Sequence, residues 1–332
     1  MLSTSNPTFC ALMAEDIYQV RLPLPFALNH VNCYLLRDAD GWTVVDTGLH
    51  WPDAQAAWTR ALAELQIGFK QIRRIVLTHM HPDHFGLAGY FQAQTDALVY
   101  LSPREAEQVQ TIWVEDGWHS TAAAEFWQVA GVPAETLAVM GVQTEQLRQR
   151  TMPHPQHYAS ISPGTLLTMG GRSWQVIHAP GHSDGQIIFY AAAEKLMLCG
   201  DQVLMKITPN IGLWPGIEAD PLGRYLQSLA ALAELDVACA LPGHGGVITT
   251  WQTRLSELQQ HHVHRLEAMV AAVQGGATAF QVAQRVFHFA NFSEHEIRFA
   301  LAETLAHLVY LVQMGRLYCQ TVAGVGLFQP PV

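Results

Sequence analysis

Residues 78–84 read Thr78-His79-Met80-His81-Pro82-Asp83-His84, three histidines and an aspartate directly after the strand-like run 72–77. That run, bounded by a polar loop, has the aliphatic content of a short buried strand. In extended backbone, residues two apart project to the same side, so His79 and His81 can share one metal ion. Pro82 turns the chain. Asp83 and His84 then open a segment loosened by Gly86 and Gly89, where they can address a second ion.

Three more single ligands obey the same positional rule, each standing where a strand-like run stops. His182 lies in A-P-G-H-S-D-G-Q after the run 174–177, Asp201 in C-G-D after 195–198, and His244 in L-P-G-H-G after 237–241. Other strand-like runs cover 33–37, 42–45, 97–101 and 187–190, and helical spacing of Ala and Leu covers 53–66 and 221–235. The class is mixed α/β, with an element order that suggests two similar halves. Ligands at successive strand ends converge on one sheet edge.

With these residues in place, the chain resembles the metallo-β-lactamase superfamily, whose hallmark is H-x-H-x-D-H followed by single His, Asp and His ligands. The resemblance covers about residues 15–248 and implies an αβ/βα sandwich. It assigns His79, His81 and His182 to one metal, Asp83, His84 and His244 to the other, and Asp201 to a position bridging them. N-C-Y-L-L at 32–36 and D-T-G at 46–48 are similar to the hydroxyacylglutathione hydrolase (glyoxalase II) branch, with Asp46 as support behind the ligands.

Seven ligands with two carboxylates and no cysteine form an N/O shell that favours zinc, with manganese or iron compatible. Two divalent ions sharing a water would lower its pKa and present a bridging hydroxide near neutral pH. Asp83 and Asp201 are the candidate catalytic carboxylates. The expected activity is hydrolysis of a thioester or related acyl compound. The rival readings are a lactonase, a phosphodiesterase or endoribonuclease, and an iron-dependent non-hydrolytic oxidoreductase, because fold and metal motif are shared by many chemistries.

Between the halves lies an insertion, residues 102–161, expected to be helical throughout and opened by the capping box S-P-R-E at 102–105. It carries Trp113, Trp118, Phe126, Trp127, Met140 and Met152, either packed on the core or forming an apolar cap over the metals. The catalytic domain is expected to span 1–250. Residues 251–332 read as helix, helix, helix, hairpin, with capping boxes at Thr278/Gln281 and Ser293/Glu296. They resemble the winged-helix-like domain attached to lactamase-like proteins, some of which are endoribonucleases. Here Arg254, Arg265, Arg285, Arg298 and Arg316 are offset by Glu257, Glu267, Glu294, Glu296 and Glu303. That balance favours packing or homodimerisation over nucleic-acid binding.

A formal net charge of −10 also disfavours general attraction to nucleic acid or anionic membrane. The 332-residue chain is 49% hydrophobic without a run long enough to span a bilayer, and its N-terminus shows no secretory leader. Five scattered cysteines without C-x-x-C fit reduced thiols and a cytoplasmic location. His154, His157, His261, His262 and His264 read as turn, packing or surface residues, and Lys206 as a solvated lysine that would otherwise suit an anionic substrate group.

Overall fold

The computed structural model describes residues 10–331. The reading of a leaderless N-terminus falls on residues 1–9 and lies outside them, as does the side chain of Glu294.

Two sheets form the centre. The first holds β1 (Cys10–Ala14), β2 (Ile17–Pro23), β3 (His30–Asp38), β4 (Gly41–Val45), β5 (Ile72–Val76), β6 (Leu98–Leu101) and β7 (Tyr158–Ser160), in that spatial order. Strands β1 to β4 are an antiparallel meander, and β4 to β7 run parallel. The second holds β8 (Leu166–Met169), β9 (Arg172–His178), β10 (Ile187–Ala191), β11 (Leu196–Gly200) and β12 (Cys239–Pro242). It too is an antiparallel meander, ending in the parallel pair β11 and β12.

Parallel neighbours need crossovers. Helix α1 (Pro52–Glu64) joins β4 to β5, α2 (Pro82–Phe85) and α3 (Ala88–Thr95) lead to β6, and the insertion supplies α4 (Pro103–Gln108), α5 (Thr121–Val129) and α6 (Ala134–Gln149) before β7. Helix α7 (Pro221–Ala233) joins β11 to β12, its N-terminus capped by Asp220 Oδ1 accepting from Gly223 N at 2.9 Å.

Side-chain alternation explains the layering. Val45 and Val76 point into the layer between the sheets with Leu36, Trp174, Phe189 and Leu198, whereas Val44 and Ile75 point outward into a layer shared with Trp58 of α1 and Phe91 of α3. Each fully buried aliphatic or aromatic side chain contributes about 1.5–3 kcal/mol. The outer face of the second sheet packs on α7 and on α8 (Trp251–Ala272), α9 (Ala279–Phe287) and α10 (Glu294–Gln313), with the hairpin β13 (Tyr318–Val322) and β14 (Val325–Gln329) behind. This is the α/β sandwich expected.

The insertion departs from its reading in two ways. It is not helical to residue 161, because β7 adds a seventh strand to the first sheet. Its N-terminal capping box is also half formed. Ser102 Oγ accepts from Glu105 N at 3.2 Å, but the Glu105 carboxylate turns away into the protein. In the tail both capping boxes close reciprocally. Among the described residues no helix is long and apolar enough to cross a membrane, and all five cysteines are free.

Candidate metal centre

Five strand ends deliver the site. β5 leads to His79 and His81, β9 to His182, β11 to Asp201 and β12 to His244, while Asp46 follows β4. Backbone bonds clamp the loops together: Ile187 N donates to Thr78 O at 3.0 Å between the two sheets, and Gly243 N to Gly200 O at 2.8 Å within the second. Gly243 must lack a side chain, since a Cβ there would lie 2.2 Å from Asp201 Oδ1 and 2.6 Å from His84 Cε1.

All seven candidate ligands come together in three overlapping groups: His79, His81 and His182; His79, His84 and Asp201; and Asp83, His84 and His244. Within each, the ligand atoms lie within 4.8 Å of one another. The Asp201 carboxylate sits between the groups, with Oδ1 3.4 Å from His84 Nε2 and Oδ2 3.6 Å from His182 Nε2 and 3.1 Å from His244 Nε2. Asp83 Oδ2 is 3.2 Å from His244 Nε2.

Four rings are oriented from behind. Nδ1 of His79 meets Thr78 Oγ1 (2.9 Å), that of His84 meets Asp46 Oδ2 (2.8 Å), that of His182 meets Asn210 O (2.9 Å) and that of His244 meets His30 O (2.6 Å). Their Nε2 atoms are thereby turned inward, the arrangement expected of metal-ligating histidines. The fit to metal rests on what is left over. Nε2 of His79, His84 and His244 and Oδ1 of Asp201 are buried without a hydrogen-bond partner among the described residues, a costly state that divalent ions would relieve.

Electrostatics agree. Burial, reinforced by the neighbouring rings, pushes His79 far down, and burial with His182 takes His81 to about 3, so both offer lone pairs. Burial opposes charge on His84 and His244 as well, but the surrounding carboxylates win. Asp201, Asp46 and Asp83 raise His84, and Asp201 with Asp83 brings His244 to about 10. Burial would raise Asp83 and Asp201, yet the same histidines hold both below the usual carboxylate range.

Three supports have different visibility in the sequence. Asp46, flagged by D-T-G, accepts from Thr78 N, Thr78 Oγ1 and His84 Nδ1, each at 2.8 Å. Asn32 of N-C-Y-L-L donates to Pro242 O and Gly245 O at 3.0 Å, and Tyr34 OH to Pro242 O at 2.7 Å, so this motif holds the loop bearing His244. Glu105 was missed. Fully buried, it accepts from Met80 N (2.6 Å), Ser183 Oγ (2.6 Å) and Gly185 N (2.7 Å), tying the His81 loop to the His182 loop. Burial pushes its carboxyl up to about 7 against those three donors.

A cavity of about 280 Å³ opens onto His81, Asp83, His182, Asp201 and His244. Its walls are Leu24, Phe26, Trp113, Trp118, Trp214 and Phe299, with His295 and Arg298 from α10. Of the three insertion tryptophans considered for this wall, Trp113 and Trp118 line it. Trp127 does not: it packs on Phe126 and Trp214 in the core beside the second sheet. Lys206 is exposed and outside the cavity.

The tail arginines are not uniformly balanced either. Arg254, Arg265 and Arg316 pair with Glu257, Glu303 and Glu267, but Arg298 has no ion pair among the described residues. It is only 3% exposed, and its guanidinium carbon stands 5.3 Å from the Trp214 ring centre and 5.9 Å from that of Trp118. Nη1 donates to Thr144 Oγ1 at 3.3 Å, Nε has no partner among the described residues, and burial lowers the group to about 10. Cation–π contact is worth about 2 kcal/mol in a desolvated setting. Burying one ion costs several kcal/mol, so the rings alone do not compensate it.

Residues 27–244 match the family described as Metallo-beta-lactamase superfamily. The chain belongs to the metallo-beta-lactamase superfamily. Residues 266–330 match the family described as Metallo-beta-lactamase-like, C-terminal domain. The chain is similar to a metallo-beta-lactamase family protein from Thermus thermophilus, at 35% identity and a TM-score of 0.86, over 96% of this chain and 100% of the other. It is 28% identical to the Probable metallo-hydrolase YqjP of Bacillus subtilis, over 90% of this chain and 92% of that protein. A more distant relative, at 21% identity over 80% of this chain and 70% of its own length, is the Atrochrysone carboxyl ACP thioesterase of Aspergillus fumigatus. The superfamily assignment and these metallo-hydrolase and thioesterase relatives make the protein a hydrolytic enzyme.

Proposed function

We propose that the enzyme hydrolyses thioesters or closely related activated acyl compounds, using two divalent ions, zinc by preference of the donor set. His79, His81 and His182 would hold one ion, and Asp83, His84 and His244 the other, with Asp201 between them. When bound, the pair would supply an activated water near neutral pH and polarise the substrate carbonyl. In the net reaction, water adds its oxygen to the acyl carbon, the C–S bond breaks, and the thiol leaves with a proton.

The chain's own residues do the rest. Asp83 Oδ2, at the cavity wall and 3.2 Å from His244 Nε2, is placed to accept the water's proton. Asp46 and Glu105 keep the ligand loops in register. Leu24, Phe26, Trp113, Trp118 and Trp214 exclude solvent and hold the acyl body.

The apolar cavity opening directly onto the ligand cluster carries the reading. A phosphodiester would call for several cations at the mouth, whereas Arg298 is the one Lys or Arg among the cavity's lining residues. The name of the fungal thioesterase relative points the same way. We expect kcat/KM for a medium-chain thioester or aryl ester to exceed that for bis-p-nitrophenyl phosphate by at least ~10²-fold, about 2.7 kcal/mol of transition-state preference. A better rate on the phosphodiester would overturn the acyl assignment. The glyoxalase II-like affinity is part of the same reading and is tested by including a glutathione thioester in the panel. The tail, residues 251–332, is read as a winged-helix-like domain that completes the cavity through α10.

A further inference from the structure

Arg298 is a buried cation facing the substrate cavity, and nothing in the acyl-hydrolase reading uses it. Three observations about it converge. It is nearly inaccessible, its Nε lacks any partner, and no ion pair reaches it among the described residues. It is also rigidly placed. Trp118, Trp214 and Phe299 surround the guanidinium at 5.3 to 5.9 Å, and Thr144, which lines a second cavity of about 180 Å³ behind it, holds Nη1. A planar fork fixed in this way, with donors to spare, suits bidentate recognition of a carboxylate.

Among the described residues, other charges around the cavity do not compete for it. Glu296 accepts from Ser293 N and Oγ at the start of α10. Asp83 and Asp201 face the histidines. Burial and then Arg298 lower His295 to about 4, so it is neutral at working pH. Among the cavity's lining residues Arg298 is thus the one Lys or Arg, set among aromatic rings and sharing a wall with the candidate metal ligands.

We propose that Arg298 binds a carboxylate on the substrate, so that the enzyme takes an acyl compound whose apolar body lies against Trp118, Trp214 and Phe299 and whose second, anionic end is held by the guanidinium. The assignment rests on the acyl-hydrolase reading for the identity of the substrate, but not for the anion site itself. It makes the tail domain a specificity element, since Arg298 and Phe299 come from α10 while the ligands come from the two sheets.

The test has two arms on the metal-loaded full chain. In the first, glutaryl and pentanoyl thioesters of one thiol are compared. The wild type should favour the glutaryl compound by at least about tenfold in kcat/KM, carried by KM, as expected for a charge-assisted bidentate contact. Arg298→Met should bring the ratio to about one, and Arg298→Lys, keeping charge without the fork, should retain part of it. Glu294→Gln should keep the wild-type ratio.

In the second arm, quenching of tryptophan fluorescence follows binding of naphthalene sulfonate, a poor metal ligand, against the neutral methyl sulfone of the same ring. The sulfonate should bind more tightly to the wild type, and not to Arg298→Met. Should Arg298→Met fail to fold, the wild-type preferences and Arg298→Lys decide. If neither thioester is turned over, the acyl reading falls while the sulfonate arm still judges Arg298. The proposal is overturned if the wild type shows no anion preference in either arm, if the preference survives in both Arg298 variants, or if it emerges only in Glu294→Gln.

Discussion

Asp46 donates nothing to the metal-facing side, yet both its oxygens are occupied: they accept from the Thr78 backbone, the Thr78 hydroxyl and His84 Nδ1. Replacing Asp46 by Asn keeps the shape and places an NH2 against groups that need an acceptor. Metal affinity should fall by about 10–100-fold, the usual effect of losing such an orienting group. Competitive titration against a chromophoric chelator measures it, and an unchanged affinity would mean that His84 is oriented by something else. The seven candidate ligands could be read one by one because each follows a short strand-like run, a purely local signal. Glu105 and Arg298 could not. Glu105 looks like the fourth residue of a capping box, and what diverts it is Met80, Ser183 and Gly185, brought in by tertiary packing. Arg298 sits in a segment whose charges balance on paper. Its isolation follows from which face of α10 is buried, and nearby composition does not record that.

At the scale of elements, the insertion sends two of its tryptophans to different places. Trp118, on the 3-10 turn Gly117–His119, stacks on Trp214 and lines the cavity, while Trp127 on α5 packs into the core 8% exposed. Trp118→Ala should lower kcat/KM for an acyl substrate at least about tenfold with metal content intact. Trp127→Ala should instead cost about 3–5 kcal/mol of stability, read from urea unfolding, with little change in kcat/KM. The reverse pattern would contradict the placement of the wall. Helices with Ala/Leu periodicity and strands bounded by Gly, Pro or Asp were legible, and their ends lie within a few residues of the expected ones. β7 was not legible, being three residues long and stabilised by pairing with β6 rather than by any alternation of its own.

For the whole molecule, the two sheets bring ligands from residues 79 to 244 to one edge, and the tail closes the cavity over them. Of the tail's arginines, Arg254, Arg265 and Arg316 pair with glutamates, Arg285 donates to Ala272 O, and the net charge is −10. The full chain should therefore show no salt-sensitive RNA or DNA retention on filters at low salt. Affinity that falls steeply with added salt would revive the ribonuclease reading. The central claim is that one edge of this sandwich is a two-metal hydrolytic centre, and elemental analysis of the purified chain tested side by side with Asp201→Ala addresses it most directly. About two transition-metal ions per wild-type chain are expected, with loss of both occupancy and acyl hydrolysis in the variant. A metal-free preparation with full hydrolytic activity, or an Asp201→Ala variant that keeps both ions and its rate, would contradict it.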